Sequence, residues 1–238
     1  IGALGAERIL LGLGHAHVRR LPVIAIAAGG ASSVQAGPLA AVQGARIASV
    51  AAQVRQAGVP MISVLTHPTS ASVFSTFASH ADLIFAEAGT HVGVSWSAGL
   101  SIDDVGRSLT GDDMLRYGWI DGVVSRPALR TRLEQVLALL TRRQGSEPAA
   151  AAGDVPEGTA AGVALTKLLS CFIEIRGDRV ESDDRHILAG FGRLDDHIVA
   201  IAVQDPSVSS PDHRAALRKV QRVANLAGRF ELPLILVA

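Results

Sequence analysis

The sequence predicts an α/β protein built on a parallel sheet, and three observations carry that expectation. Short apolar runs at residues 21–27, 58–65 and 232–238 each contain a proline at or near the entrance. They lack the polar alternation of half-buried strands, so they read as strands covered on both faces, and an entrance proline forfeits no ladder hydrogen bond. Helical patterns of 15 to 20 residues alternate with them, as parallel pairing requires. Finally, of 238 residues 48% are apolar, 18% charged and only 4% aromatic. Such a chain is too apolar for disorder and must build its core from Ala, Val, Leu and Ile.

Taken in order, residues 6–19 form a helix-like stretch leading into the first strand. A helix follows over 38–57, with Leu39, Val42, Ile47, Val50 and Val54 on its apolar side, Pro38 suited to the first turn and Gly58 to the stop. Strand, helix and strand make a crossover unit, right-handed by default. A second helix begins at Ser125-Arg126-Pro127 and carries Leu129, Leu133, Val136, Leu137 and Leu140 on one stripe. After Arg143 the periodicity stops: Gln144 to Pro148, the run Ala149 to Ala152, and Gly153 to Gly158 read as an interdomain linker. Residues 187–193 and 197–203 form a hairpin across Leu194-Asp195-Asp196, and a last helix covers 211–227, with Leu217, Val220, Val223, Ala224 and Ala227 inward. The stretch 213–229 leading to Leu232-Pro233-Leu234-Ile235 repeats the plan of 6–19 leading to Leu21-Pro22-Val23-Ile24. A copy that stops at its first core strand predicts a chain truncated at both ends.

Composition narrows the function classes. The 22 basic and 22 acidic residues balance, leaving no basic stripe for nucleic acid. No uninterrupted apolar run approaches the ~20 residues of a membrane span. One cysteine, Cys171, rules out an internal disulfide and multi-cysteine zinc sites. The first residues do not form a signal peptide, and the expected location is cytoplasmic.

Two turns could bind a ligand through backbone N–H groups. Ala28-Gly29-Gly30-Ala31 follows a buried strand and can aim donors at a carbonyl or phosphate oxygen; it lacks the dinucleotide spacing, and a plain tight turn explains it as well. Thr66 to Val73 leads into a helix N-terminus with free N–H groups; a serine N-cap accounts for the same residues without a ligand, and the two readings are compatible. Gly93-Val94-Ser95-Trp96-Ser97 lacks the last glycine of a nucleophile elbow and is rejected. His15 and His17 point to different sides of a helix. His67, His80 and His91 read as scattered solvated or capping residues, and Asp183-Asp184 and Asp195-Asp196 as turn residues. No nucleophile–base pair, metal cluster or phosphate loop is visible in the pattern, so any enzymatic chemistry would rest on backbone donors.

The order of these segments resembles bacterial acetyl-coenzyme A carboxylase carboxyltransferase. Gly29-Gly30-Ala31, Gln35-Ala36-Gly37, Ile62 to Thr69, Phe77-Ala78, Ala81-Asp82 and Ala86-Glu87 are similar to its beta half, with Tyr117 to Asp121 and Val124 to Pro127 near the end. Gly177-Asp178-Arg179, Asp183-Asp184, Gly190 to Asp195 and the 218–230 helix are similar to the start of the alpha half. The resemblance implies a crotonase-like α/β fold of repeated ββα units, with residues 1–143 a beta-like half, 144–162 a linker and 163–238 the start of an alpha-like half. It implies carboxyl transfer from carboxybiotin, held on a biotin carboxyl carrier protein, to the alpha carbon of an acyl-coenzyme A. Biotin carboxylase and a second copy of the chain would be further partners, with no metal, nucleic acid or membrane. The pathway implied is malonyl-coenzyme A and fatty acid synthesis.

By the same resemblance, Ala71 and Ser72 supply the backbone N–H groups that hold the enolate oxygen, and Gly29, Gly30, Ala31, Val73 and Gly93 line the acyl-coenzyme A pocket. The biotin-side hole would lie beyond Ala238. The sequence also departs from the family. Ala71-Ser72 stands where a Gly-Gly pair is usual, and the added Cβ atoms restrict backbone angles. Ser32 replaces an arginine, Ser95-Trp96-Ser97 interrupts a Gly-Pro segment, and no four-cysteine zinc ribbon is present. Two alternatives therefore stand beside the transferase: a non-catalytic scaffold half, and a biotin-dependent acyl-coenzyme A decarboxylase.

Overall fold

The computed structural model describes residues 1–29, 38–93, 108–141, 158–210 and 213–238. They divide into two compact units, residues 1–114 with 123–125, and residues 115–122 with 126–238.

The first unit opens with α1 (Ala3–Arg19), β1 (Val23–Gly29), α2 (Pro38–Gln56) and β2 (Met61–Ser70). Next come α3 (Ala71–Thr76), a 3-10 turn (Ala78–His80), β3 (Leu83–Glu87), β4 (His91–Gly93) and β5 (Ser108–Thr110). Helix α4 (Gly111–Arg116) and strand β6 (Gly122–Val124) follow. The sheet runs β5-β4-β2-β3-β6, with β1 also paired to β2. The strands β1, β3 and β4 all run parallel to β2, so the crossover expected for 21–65 is present.

Met61, Ile62, Leu65, Leu83, Ile84 and Phe85 are buried in the middle of this sheet, and β2 is covered on both faces up to Leu65. Strand β1 corrects the expectation for its own run: Ile24 is 41% and Ile26 65% exposed. Among the described residues β1 pairs with β2 alone, and one of its faces looks outward. In α2 the inward residues are Gln43, Ile47, Ala51 and Val54, whereas Leu39 and Val42 are exposed. The i+4, i+4, i+3 spacing of the inward set is one helical stripe, and buried Gln43 is tolerated because Glu7 accepts from its amide while Arg46 donates to it.

The second unit holds α5 (Arg126–Leu140), α6 (Ala160–Leu168), β7 (Cys171–Glu174), β8 (Ile187–Leu194), β9 (His197–Gln204), α7 (His213–Arg229) and β10 (Leu234–Val237). Its sheet runs β10-β9-β8-β7, antiparallel except for the parallel β9–β10 pair. The expected hairpin is present, turning at Asp195, whose φ is 51°. Ala161, Leu165, Phe172, Leu188, Val199 and Ile201 form one core cluster. The inward face of α7 differs from expectation: Leu217 is 70% exposed, and Lys219 is fully buried. Most of the stretch read as a linker lies outside the described residues. No described helix is long and apolar enough to cross a membrane.

The internal repeat is visible in the backbone. Helices α1 and α7 each end at a left-handed residue, Arg20 (φ 50°) and Glu231 (φ 53°). Each is followed by a leucine whose N–H reaches back to a helix carbonyl, Leu21 to Ala16 at 3.0 Å and Leu232 to Ala227 at 2.9 Å. These are Schellman closures, and each is followed by proline and a parallel strand.

Candidate functional site

Strand β2 extends five residues beyond the Leu65 end that its apolar run implied, and a bulge is the reason. Ala27 of β1 faces Leu65, but Gly29 faces Thr69, so the three β2 residues Thr66 to Pro68 stand against the single β1 residue Ala28. The Thr66 and Thr69 hydroxyls both donate to the Ala27 carbonyl, at 3.2 and 2.9 Å, and tie the bulge shut. The chain then resumes as a strand with a new neighbour, Thr69 facing Val92 and Ser70 facing Gly93 of β4. The ends of β1 and β4 thus flank the point where β2 becomes α3, at the carboxyl ends of parallel strands, where ligands bind in open α/β sheets.

At that point Ser70 caps α3: its hydroxyl accepts from Val73 N–H at 3.3 Å, which fits the serine N-cap reading. The first N–H groups of a helix have no partner within it, so Ala71 and Ser72 present theirs from the first turn. Neither Ala71 nor Ser72 is left-handed; among the described residues the non-glycines in that conformation are Arg20, Arg179, Asp195 and Glu231. The Cβ atoms at 71 and 72 therefore sit on ordinary helical backbone without strain. The Ser72 hydroxyl is held 3.0 Å from that of Ser70. A methyl built on Gly29 would stand 3.9 Å from Val73 Cγ2, and one on Gly93 would meet nothing within 4 Å.

The structure therefore brings Gly29, Ala71, Ser72, Val73 and Gly93 to one end of one sheet. Gly30 and Ala31, with Ser32 and Ser95 to Ser97, lie outside the described residues. Beside Ser72, between α2 and α3, opens a cavity of about 200 Å³.

Two features escaped sequence reasoning. His67 and His91, read as scattered, meet edge-on with ring centroids 5.5 Å apart, because the bulge and the short β4 place them side by side. Asp183 and Asp184, read as turn residues, belong to a buried charged cluster in the second unit. Asp183 accepts from Arg176, from the Gly177 N–H at 2.8 Å and from Lys219 at 3.0 Å. Burial disfavours its charge, but the Lys219 ammonium, Arg176 and the Gly177 N–H outweigh it and hold its pKa at about 2. Glu174 goes the other way: burial pushes its pKa up to about 7 despite Lys219 and Arg176. Asp178 takes the N–H groups of Val180, Glu181 and Ser182 and the Arg218 guanidinium, and Asp121 takes Arg179 and Arg222. This cluster neutralises itself internally, as a structural ion network does. Among the described residues no group of three or more His, Cys, Asp or Glu gathers to hold a metal ion.

No family model matches the chain. Over 99% of its length it is 29% identical to the acetyl-coenzyme A carboxylase carboxyl transferase subunits beta/alpha of Salinispora arenicola, covering 49% of that protein. Over 58% of its length it is 36% identical to the carboxyl transferase subunit beta of a Synechococcus species, covering 46% of it. Among solved structures, transcarboxylase 12S with hydrolysed methylmalonyl-coenzyme A bound aligns with a TM-score of 0.75 at 15% identity. That alignment covers 100% of this chain and 51% of the other. The fold is the crotonase-like α/β fold, and the resemblance to carboxyltransferase beta/alpha chains runs through both halves. The chain spans about half the length of the curated relatives it matches.

Proposed function

We propose that this chain is the acyl-coenzyme A side of a biotin-dependent carboxyltransferase, with residues 1–143 a beta-like half and 163–238 the start of an alpha-like half. One observation supports the reading above the others: β2 changes partners at its bulge so that Gly29, Gly93 and the first turn of α3 share one strand end. The site is built from backbone donors and small residues, as expected where charge develops on an oxygen and no side-chain nucleophile takes part.

In this reading the thioester lies across Gly29 and Gly93; Gly30 and Ala31 are assigned to the same pocket by the resemblance alone. Removal of the alpha proton moves charge onto the thioester oxygen, and the Ala71 and Ser72 N–H groups stabilise the enolate. Donors fixed by a capped helix are already oriented, so they favour the transition state over the ground state. Carboxybiotin on a separate carrier protein is the co-substrate, and supplies the carboxyl group and the base that its release generates. The residues assigned here belong to the acyl-coenzyme A side alone. A carrier protein, a biotin carboxylase and a second copy of the chain are the expected partners. The scaffold alternative rests on the Ala71-Ser72 pair, and the ordinary helical backbone of both residues supports the transferase reading over it.

The test is carboxyl transfer from malonyl-coenzyme A to free biotin by the full-length protein that carries this chain. Biotin-dependent loss of malonyl-coenzyme A is expected, together with a change in rate of at least several-fold in the Ala71→Pro variant, which removes one donor. Absence of both turnover and acyl-coenzyme A binding overturns the reading.

A further inference from the structure

The cavity beside Ser72 has a chemical character of its own. Ala41, Gly44 and Ile47 of α2 and Ser72 and Thr76 of α3 line it, with Gln43 and Ile1. Every polar side chain among them is already engaged. Gln43 donates to Glu7 and accepts from Arg46, the Ser72 hydroxyl pairs with Ser70, and the Thr76 hydroxyl donates to the Ser72 carbonyl. With its hydroxyl committed there, Thr76 turns its methyl toward α2: a methyl built on Gly44 would stand 3.0 Å from Thr76 Cγ2. Ile47, 1% exposed, is the buried apolar part of the lining. The occupant that fits is therefore apolar, and it would lie against Ser72, a residue assigned as a donor to the thioester oxygen.

We propose that this cavity receives the acyl chain of the substrate and that Gly44 and Thr76 set its length, so that the preferred substrates are medium-chain rather than acetyl thioesters. The inference rests on the carboxyltransferase reading above. Its size is the guide to length: an apolar cavity of roughly 150 Å³ holds one benzene ring, and about 200 Å³ accommodates a chain of about six carbons. Each methylene buried there should tighten binding about fourfold until the space is filled.

Binding of acetyl-, butyryl-, hexanoyl-, octanoyl- and decanoyl-coenzyme A to the full-length protein by calorimetry tests this. Affinity is expected to climb to about hexanoyl and to level or fall beyond it. Gly44→Ala should cut the hexanoyl-over-acetyl preference about tenfold, and Thr76→Ser, which keeps the hydroxyl and removes the methyl, should restore it in the double variant. Thr76→Ser alone should raise the octanoyl-over-hexanoyl ratio about fourfold, which decides the matter should Gly44→Ala fail to fold. If the esters bind with affinities independent of chain length, or if the ratios do not move, the inference falls and the carboxyltransferase reading stands. If no coenzyme A ester binds, that reading falls first.

Discussion

The segments α1–β1 and α7–β10 follow one local plan and bury different chemistry. Each helix closes on a left-handed residue, then leucine, proline and a parallel strand. Helix α1 buries Ala6, Leu13 and Ala16, and leaves Leu4, Leu11 and Val18 exposed at i, i+7 spacing. Helix α7 also buries small and aliphatic residues, but at its centre lies Lys219, fully enclosed and bonded to Asp183 and to the Asp184 carbonyl. The plan of a helix end is written in a few consecutive residues. What its face covers is decided by residues 35 and more positions away.

The largest expected effect breaks the comparison at that lysine. Lys219→Ala leaves Asp183 buried without its ammonium partner and should destabilise the second unit by about 3–5 kcal/mol. Leu11→Ala on the exposed side of α1 should change stability by no more than about 0.5 kcal/mol. Denaturant unfolding of both variants measures the contrast, and equal losses would refute it.

Next is a pH dependence confined to the second unit. Glu174 has a folded pKa of about 7 against an ordinary 4.5, so the folded state binds its proton more tightly than the unfolded state. Stability from this group is full below about pH 4.5 and falls as pH rises to about 7, by on the order of 3 kcal/mol. Asp183 has the opposite sign: its pKa of about 2 against 3.8 contributes stability above about pH 4 that disappears as pH falls through 2. Glu174→Gln should therefore raise the melting temperature at pH 8 and leave it unchanged near pH 4. Identical pH profiles for the two proteins would show that Glu174 titrates normally.

The smallest effect sharpens the shared feature. Glu231→Gly relieves a left-handed residue and should stabilise by about 0.5–1 kcal/mol. Arg20→Gly relieves the same kind of strain but gives up the guanidinium bond to the Ala57 carbonyl at 2.9 Å, so its gain should fall short of what relief of strain alone would give. Paired thermal melts would show which helix end carries more strain.

Much of the fold was legible because it is local. Proline-led apolar runs, the 38–56 helix, the hairpin and the repeated helix ends all declare themselves over a few residues. The faces of α2 and α7 were not, since Leu39, Val42 and Leu217 satisfy a helical stripe as well as the residues that are in fact inward. A buried Gln43 or Lys219 becomes reasonable only when its partners from distant segments are in place. The candidate site was legible only through resemblance to a family. Gly29 and Gly93 are 64 positions apart, and nothing along the chain announces that three bulged residues bring both to Ser70. The same bulge explains why His67 and His91 could not be paired in advance.

Because those three residues absorb an offset, β2 behaves as two separately keyed segments on one strand. Residues 61–65 are keyed to β1 and β3, and Thr69 and Ser70 to Gly29 and β4. A length change in the bulge would misplace the site while leaving the central ladder in register. Substitutions around Ala71 would likewise not disturb the ladder. Framework and working end can thus drift at different speeds within one continuous strand, which gives a lineage room to retune what it binds without rebuilding what it stands on.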